Sequence, residues 1–474
     1  MATASPMGEA ASLYLLLRRF VEPKLAAELE RFIKEAAEHK LVRINAVAMA
    51  AELNVDEEQL IAALLHATNI GIFEMSWNVL CPDCGSVLDR NASLRTLRSE
   101  EYFCPNCAEG YEPTLDDRVE VTFTISSRVR PVAAHNPDQL SPLEYFRQIT
   151  IGSHLIVPPD YEAFFEEVTL EALELPAGER AIMSLQMTEG LYLVEDLVTH
   201  TAQFLEIKGE HTKERQHLPF IIDRTSVQHP RMFIRPGPLR IAFDNRRDRR
   251  ALPTVFLAGP RLLRFIKTYR PFLSAKRLLS NQTFRDIYRT DTLGVDQRLK
   301  ITSLTFVFTD LRGSTELYER VGDLAAFDLV KAHFSVLNGI VAAEGGAVVK
   351  TIGDAVMATF PTPDRALTAA LKMRDAMRRF NQEREREDLL LKIGMHEGPC
   401  IAVSLNERQD YFGQTVNIAS RVQGLANERE IFATSAIIGH PKSSGVLRSM
   451  QVQPVASEAQ LRGVTDRVNV YSIP

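Results

Sequence analysis

The sequence predicts an α+β multidomain chain, and three patterns carry that expectation. Apolar residues near the N-terminus repeat at helical spacing, as Leu25, Leu29, Phe32 and Ile33 and again as Leu60, Ala63, Leu64 and Ala67. From roughly residue 115 to 260 the period falls to near two, in short runs divided by Gly, Pro, Asp and Asn. Beyond residue 300, apolar β-branched runs end on single carboxylates. At 474 residues the chain exceeds one ordinary core, and its length suggests about three domains.

Composition narrows the class. Hydrophobic residues make up 45% and charged residues 24%, as in folded soluble proteins. A net charge of −6 gives no global attraction to nucleic acid or an anionic membrane. The apolar run Ser12–Leu17 stops at Arg18-Arg19, short of the roughly 20 residues of a span. No small-residue cleavage site follows it. A cytoplasmic protein with no membrane span and no nucleic-acid partner is expected.

Residues 1–75 read as a winged-helix-like segment. A first helix is followed by helices over Asn45–Leu53 and Asp56–Ala67, then a strand over Ile72–Leu80. Asp56, Glu57 and Glu58 give the third helix an acidic first turn. That helix carries no Lys or Arg from Glu57 to His66, which argues against DNA and favours protein interaction or dimerisation. Residues 76–127 interrupt the wing and return through Asp117–Ser127, where Val119, Val121, Phe123 and Ile125 alternate.

Two Cys-x-x-Cys turns fall inside that wing, Cys81 with Cys84 and Cys104 with Cys107. Each turn offers two sulfurs to one side of a tetrahedral ion, and four thiolates close its coordination sphere. A zinc ribbon with a structural Zn²⁺ is expected, with no open position for catalysis. Cys400 is left over, in a strand-like stretch.

Residues 128–260 predict a small β-sandwich-like regulatory module, with strands at Ile182–Met187, Leu191–Val194, Gln203–Ile207, Leu239–Phe243 and Pro253–Leu257. Arg246, Arg247, Arg249 and Arg250 cluster in one of its turns, read as a solvated hairpin tip. Residues 261–299 return to helical spacing as a connector, with Leu262, Leu263, Phe265, Ile266 and Tyr269 before Pro271, then Lys276–Tyr288.

Residues 300–474 carry the chemistry. Asp310 ends the strand-like run Leu304–Thr309, where a helix begins. Gly313, Ser314 and Thr315 place free N–H groups at that helix's start, where phosphate oxygens bind well. Asp354 lies in a hairpin turn between strands Ala347–Ile352 and Ala355–Phe360. Two acids so delivered are what a pair of Mg²⁺ ions needs to clamp a nucleoside triphosphate. Asn417 and Arg421, four residues apart on a helix, face the same way.

These motifs, with their order and spacing, resemble the catalytic domain of class III nucleotide cyclases. The resemblance implies a ferredoxin-like βααββαβ core and an adenylate cyclase that converts ATP to cyclic AMP and pyrophosphate. It assigns two Mg²⁺ (or Mn²⁺) ions to Asp310, Leu311 and Asp354, the ribose to Asn417, and transition-state charge on the α-phosphate to Arg421. Arg462 aligns with the family's triphosphate-binding Lys, keeping the charge but changing its geometry. Lys350 donates to adenine N1 and Asp410 accepts from the exocyclic amine, whereas guanine presents the opposite pattern. Related guanylate cyclases place Glu and Cys or a similar small residue there. The family also implies a homodimer in which the aspartates of one subunit work with the Asn/Arg helix of the other. The alternatives are a guanylate cyclase or a catalytically silent nucleotide sensor. The N-terminal half is similar to an uncharacterised module found ahead of such cyclases, its regulatory ligand or protein unknown.

Overall fold

The computed structural model describes residues 6–97, 101–107, 109–112, 114–116, 118–223, 231–288, 297–386, 389–405, 408–427 and 430–474. It divides into two compact units. The first comprises 1–93, 100–113 and 118–273; the second comprises 94–99, 114–117 and 274–474.

The first unit opens with helices. Pro23–Glu35 buries Leu25, Ala26, Leu29 and Ile33, the stripe its spacing requires. Asn45 caps Ala46–Leu53 by accepting from the Val47 and Ala48 amides, and Asp56 caps Glu57–Asn69 by accepting from the Gln59 amide. Phe73–Leu80 lies between Val87–Asn91 and Val119–Ile125 in a three-stranded antiparallel sheet. Ile44 adds a bridge to Phe123. The returning strand therefore begins at Val119; Asp117 lies outside the described residues.

The next stretch departs from the expected strands. Helical pieces occur within 142–168, as Pro142–Tyr145, a π-helical turn over Phe146–Thr150, and Tyr161–Val168. Tyr161, Phe164, Phe165 and Val168 recur at helical spacing and are buried together with Phe146, Phe256 and Phe265. The β-rich part thus starts at Thr169, not near 128. Two sheets follow, one with Arg180–Met187, Gln216–Ile222 and Gly237–Asn245, the other with five strands. Their facing sides share a core that includes Leu218, Ile241, Val194 and Leu205. In the turn after Gly237–Asn245, Arg250 is no solvated tip, because it donates to the Pro137 and Leu140 carbonyls at 2.6 and 2.7 Å.

In the second unit the connector breaks into Ala275–Leu279 and Gln282–Ile287, with Asn281 capping the latter. The catalytic part then runs strand, two helices, two strands, helix, strand: Leu299–Arg312, Ser314–Val321, Asp323–Ala343, Ala347–Ile352, Ala355–Phe360, Pro363–Glu383 and Leu390–Leu405. The sheet has eight strands with Leu299–Arg312 between Ala355–Phe360 and Leu390–Leu405. Asp323–Ala343 and Pro363–Glu383 bury their apolar faces with Val307, Ala358, Ile393 and Ile431. Residues of opposite strand parity, Phe432 and Val470, pack with Val422 of the helix Gln414–Gln423 on the other face. Among the described residues, Asp323–Ala343 is long and apolar enough to cross a membrane; its Ala326, Leu329, Leu337 and Val341 are built into the core.

Candidate active site

Strand register brings the two aspartates together. Leu299–Arg312 pairs antiparallel with Ala355–Phe360 up to Thr309 opposite Val356, so Asp310 comes level with the hairpin loop. Ile352 pairs with Ala355, leaving a two-residue loop of Gly353 and Asp354. Gly353 has φ +63°, the sign that tight hairpin turns demand and that a side chain resists.

The pair is electrostatically unsatisfied. Burial first, and then the Asp354 charge, push the Asp310 carboxyl above its usual range, while Lys392 partly opposes them. Asp354 Oδ2 is buried and hydrogen-bonds to nothing among the described residues. A carboxylate oxygen shut away without a donor, beside a second acid, fits a divalent cation. Leu311, assigned to the same ions, has its side chain buried in the core, so only its carbonyl is suited to ligate.

Gly313 precedes the helix Ser314–Val321, in whose first turn Ser314 and Thr315 lie. Thr315's side chain is outside the described residues. One sequence-unforeseen group lies close by. His333, on Asp323–Ala343, is fully buried, and among the described residues neither ring nitrogen has a well-formed hydrogen-bond partner. Burial pushes it down to about 4 despite the opposing charge of Asp354, so it stands neutral in the site's wall. A polar residue on a buried helical stripe was its only signal.

Lys350 and Asp410 form the second constellation. Lys350 Nζ lies 2.5 Å from Asp410 Oδ2, and Asp410 Oδ1 also accepts from the Tyr411 amide at 2.9 Å. A cavity of about 490 Å³ opens there, lined by Val349, Lys350, Leu405, Arg408, Gln409 and Asp410. Sequence reasoning missed what holds this pair. Arg285, on the connector helix, donates Nη2 to the carbonyls of Val349 at 3.3 Å and Gln409 at 3.0 Å, the residues immediately before Lys350 and Asp410. Gln282 accepts from the Val348 amide at 2.8 Å.

Asn417 and Arg421 form the third. Their helix is drawn tight against the sheet, since a Cβ at Gly394 would lie 2.1 Å from the Gln423 amide. Asn417 is exposed. The Arg421 guanidinium lies over Gly463, its Nη atoms 3.5 and 3.6 Å from a Cβ built there, which sets it beside exposed Arg462. Among the described residues neither Asn417 nor Arg421 bonds to Asp310 or Asp354.

The cysteines converge in the first unit. Sγ atoms of Cys81, Cys84, Cys104 and Cys107 all lie within 4.8 Å of one another. Cys81 is 3.6 Å from Cys107, and Cys84 is 3.7 Å from Cys104. Four sulfurs about 2.3 Å from one tetrahedral ion are separated by about 3.8 Å, so the cluster has the dimensions of a zinc site.

Residues 7–286 match a family of unknown function, DUF5939, and residues 297–473 match the adenylate and guanylate cyclase catalytic domain. The chain therefore belongs to the DUF5939 family and carries a catalytic domain of the class III cyclase family at its C-terminal end. Among curated relatives, an adenylate cyclase of Anabaena cylindrica is 26% identical over 185 residues, covering 36% of either chain. Adenylate cyclase 2 of Rhizobium meliloti is 26% identical over 203 residues, covering 40% of this chain and 54% of its own. The chain thus spans between a third and little more than half of these two relatives. Among solved structures, the adenylyl cyclase CyaB from P. aeruginosa is 23% identical over 38% of this chain and 96% of its own, at a TM-score of 0.33.

Proposed function

We propose that this protein is an adenylate cyclase, forming 3′,5′-cyclic AMP and pyrophosphate from ATP at the interface of a homodimer. The Lys350–Asp410 pair carries the choice of base. Its ammonium is a donor for adenine N1 and its carboxylate an acceptor for the exocyclic amine; guanine would meet donor with donor and acceptor with acceptor.

Asp310, Asp354 and the Leu311 carbonyl would hold two Mg²⁺ or Mn²⁺ ions, which, when bound, supply positive charge to acidify the ribose 3′-hydroxyl and neutralise the triphosphate. Amides at Gly313, Ser314 and Thr315 receive phosphate oxygens. Arg462 adds charge to the triphosphate. Asn417 orients the ribose, so that its 3′-oxygen attacks the α-phosphorus in line with departing pyrophosphate. Arg421 meets the charge that builds on the α-phosphate.

Dimerisation is supported by the lack, among the described residues, of any bond from Asn417 or Arg421 to the aspartates and by an uncovered apolar surface. Ile352, Ile401, Leu405 and Phe412 are between 37% and 53% exposed, and Ile401 pairs directly with Phe412 in the strand that carries Asp410. Apolar side chains gathered around a polar site mark a place for a partner. In the first unit, the cysteine cluster supports a structural Zn²⁺, and the order of helices and strands from Pro23 to Ile125 supports a winged-helix-like reading with a zinc ribbon in its wing. A cytoplasmic location is part of the same proposal.

The test is product analysis on purified full-length protein given ATP or GTP in equal amounts with Mg²⁺ or Mn²⁺. Cyclic AMP as the main product, absent in Asp354→Ala, is expected. Predominant cyclic GMP would establish the guanylate cyclase alternative, and no cyclic product with either nucleotide would leave a silent sensor.

A further inference from the structure

The first unit contains a cavity of about 320 Å³ that the cyclase chemistry leaves unused. Its floor is built around Arg43. That residue is 6% exposed and sits at φ +50°, a backbone conformation that costs a non-glycine residue energy and that clusters at functional positions. Its Nη1 donates to the Gln148 and Ile149 carbonyls at 3.3 and 2.9 Å, and its Nη2 donates to Glu120 at 2.9 Å. Arg43 Nε is buried and has no hydrogen-bond partner among the described residues, and the same holds for Oε1 of Gln148, a residue 7% exposed. Gln148 belongs to the π-helical turn Phe146–Thr150, a distortion also frequent at functional sites.

Charge gives the cavity a sign. Lys40, Arg43, Arg147 and Arg270 line it against one lining carboxylate, Glu52. Glu52 is matched by Lys40 at 2.6 Å, Arg43 by Glu120, and Arg147 by Glu144 at 3.8 Å. Arg270 forms no ion pair within 4 Å among the described residues, though the Glu120 and Glu52 charges favour its ionised form. It donates Nε to the Ser153 carbonyl at 3.0 Å, and among the described residues its two terminal nitrogens make no hydrogen bond, a fork suited to an anion. Phe32, Val42, Ile151 and Pro158 supply apolar wall. Size, mixed lining and converging polar atoms are those of a small-molecule site.

We propose that this cavity binds a small organic anion, its carboxylate or phosphate head held by Arg270 with Arg43 Nε, its apolar body against Phe32 and Ile151, and a hydroxyl or amide donor on Gln148 Oε1.

Calorimetric titration of the full-length protein with 4-hydroxybenzoate, 4-hydroxyphenyl phosphate and the neutral 4-hydroxybenzamide tests this. Saturable binding of at least one anion at millimolar concentration is expected, the tighter of the two identifying the head group. Arg270→Gln should weaken it about 10-fold or more, the loss of a charge-assisted hydrogen bond. Ala48→Leu, which fills the cavity from the helix Ala46–Leu53, should abolish it, with unchanged circular dichroism for both variants. Failure of both anions to bind overturns the proposal, as does equal binding of the amide or undiminished binding in both variants.

Discussion

Lys350 Nζ and Asp410 Oδ2 stand 2.5 Å apart on two different strands, and one side chain outside those strands, Arg285, holds the backbone just before each of them. The pair is thus a fixed donor–acceptor template. Replacing Asp410 with Ala should lower kcat/KM for ATP by a factor of about 10 to 100, the range of a hydrogen bond to a charged group. Exchanging both residues, Lys350→Glu with Asp410→Cys, should move preference toward GTP in a competition assay.

Arg285→Leu tests the support and not the template. Lys350 and Asp410 remain, but two carbonyls lose their donor. KM for ATP should rise and discrimination against GTP should fall, with kcat at saturation changing less. A fall in kcat alone would show that Arg285 does not position the base-reading pair.

The carboxylate pair predicts a metal-dependent stability. Without cations, Asp310 and Asp354 repel across a partly buried space, so Asp354→Asn should raise the melting temperature of metal-free protein. The same variant should lose the stabilisation that Mn²⁺ gives the wild type and lower turnover by a factor on the order of 1000. Differential scanning fluorimetry with and without Mn²⁺ separates these effects.

Two inactive variants should rescue each other. Arg421→Ala lowers turnover by roughly 100- to 1000-fold, and Asp354→Ala removes the opposite half-site. Mixed after co-expression, they should recover activity up to about a quarter of wild type, since half of the dimers then carry one intact site. No recovery would place both halves within one chain.

Acid should weaken the catalytic unit. The folded-state pKa of His333 is depressed to about 4, below its unfolded value of about 6.5. Unfolded chains therefore take up the proton first, and stability present above about pH 6.5 is lost toward pH 4, by about 2 kcal/mol at pH 5. His396, half-buried and likewise lowered by desolvation to about 4, acts in the same direction. Asp310 has the opposite sign, because a raised carboxyl pKa lends stability as pH falls. Urea unfolding at pH 7 and 5 should show a smaller acid loss in His333→Phe than in wild type.

The convergence of the candidate site residues was more legible in the sequence than the scaffold. Asp310 and Asp354 could be read because each ends an apolar run at a chain reversal, and antiparallel register does the rest. The four cysteines were readable because a two-residue spacer fixes sulfur geometry locally. The helices over 142–168 were not, since their aromatic stripe sits between Pro- and Gly-containing segments that mimic strand boundaries. Gln216–Ile222 was hidden by Pro219, which is tolerated because the strand lies at a sheet edge. Arg285 gave no warning, for its role exists only once remote strands come together.

Among the described residues neither Asn417 nor Arg421 bonds to Asp310 or Asp354, and a site completed by a second copy, as proposed, has a consequence for the cell. A lone copy would be silent, and paired copies become common only as the protein accumulates. At low abundance the second-messenger signal would then climb with the square of copy number, so that modest changes in synthesis or turnover become a steep change in output.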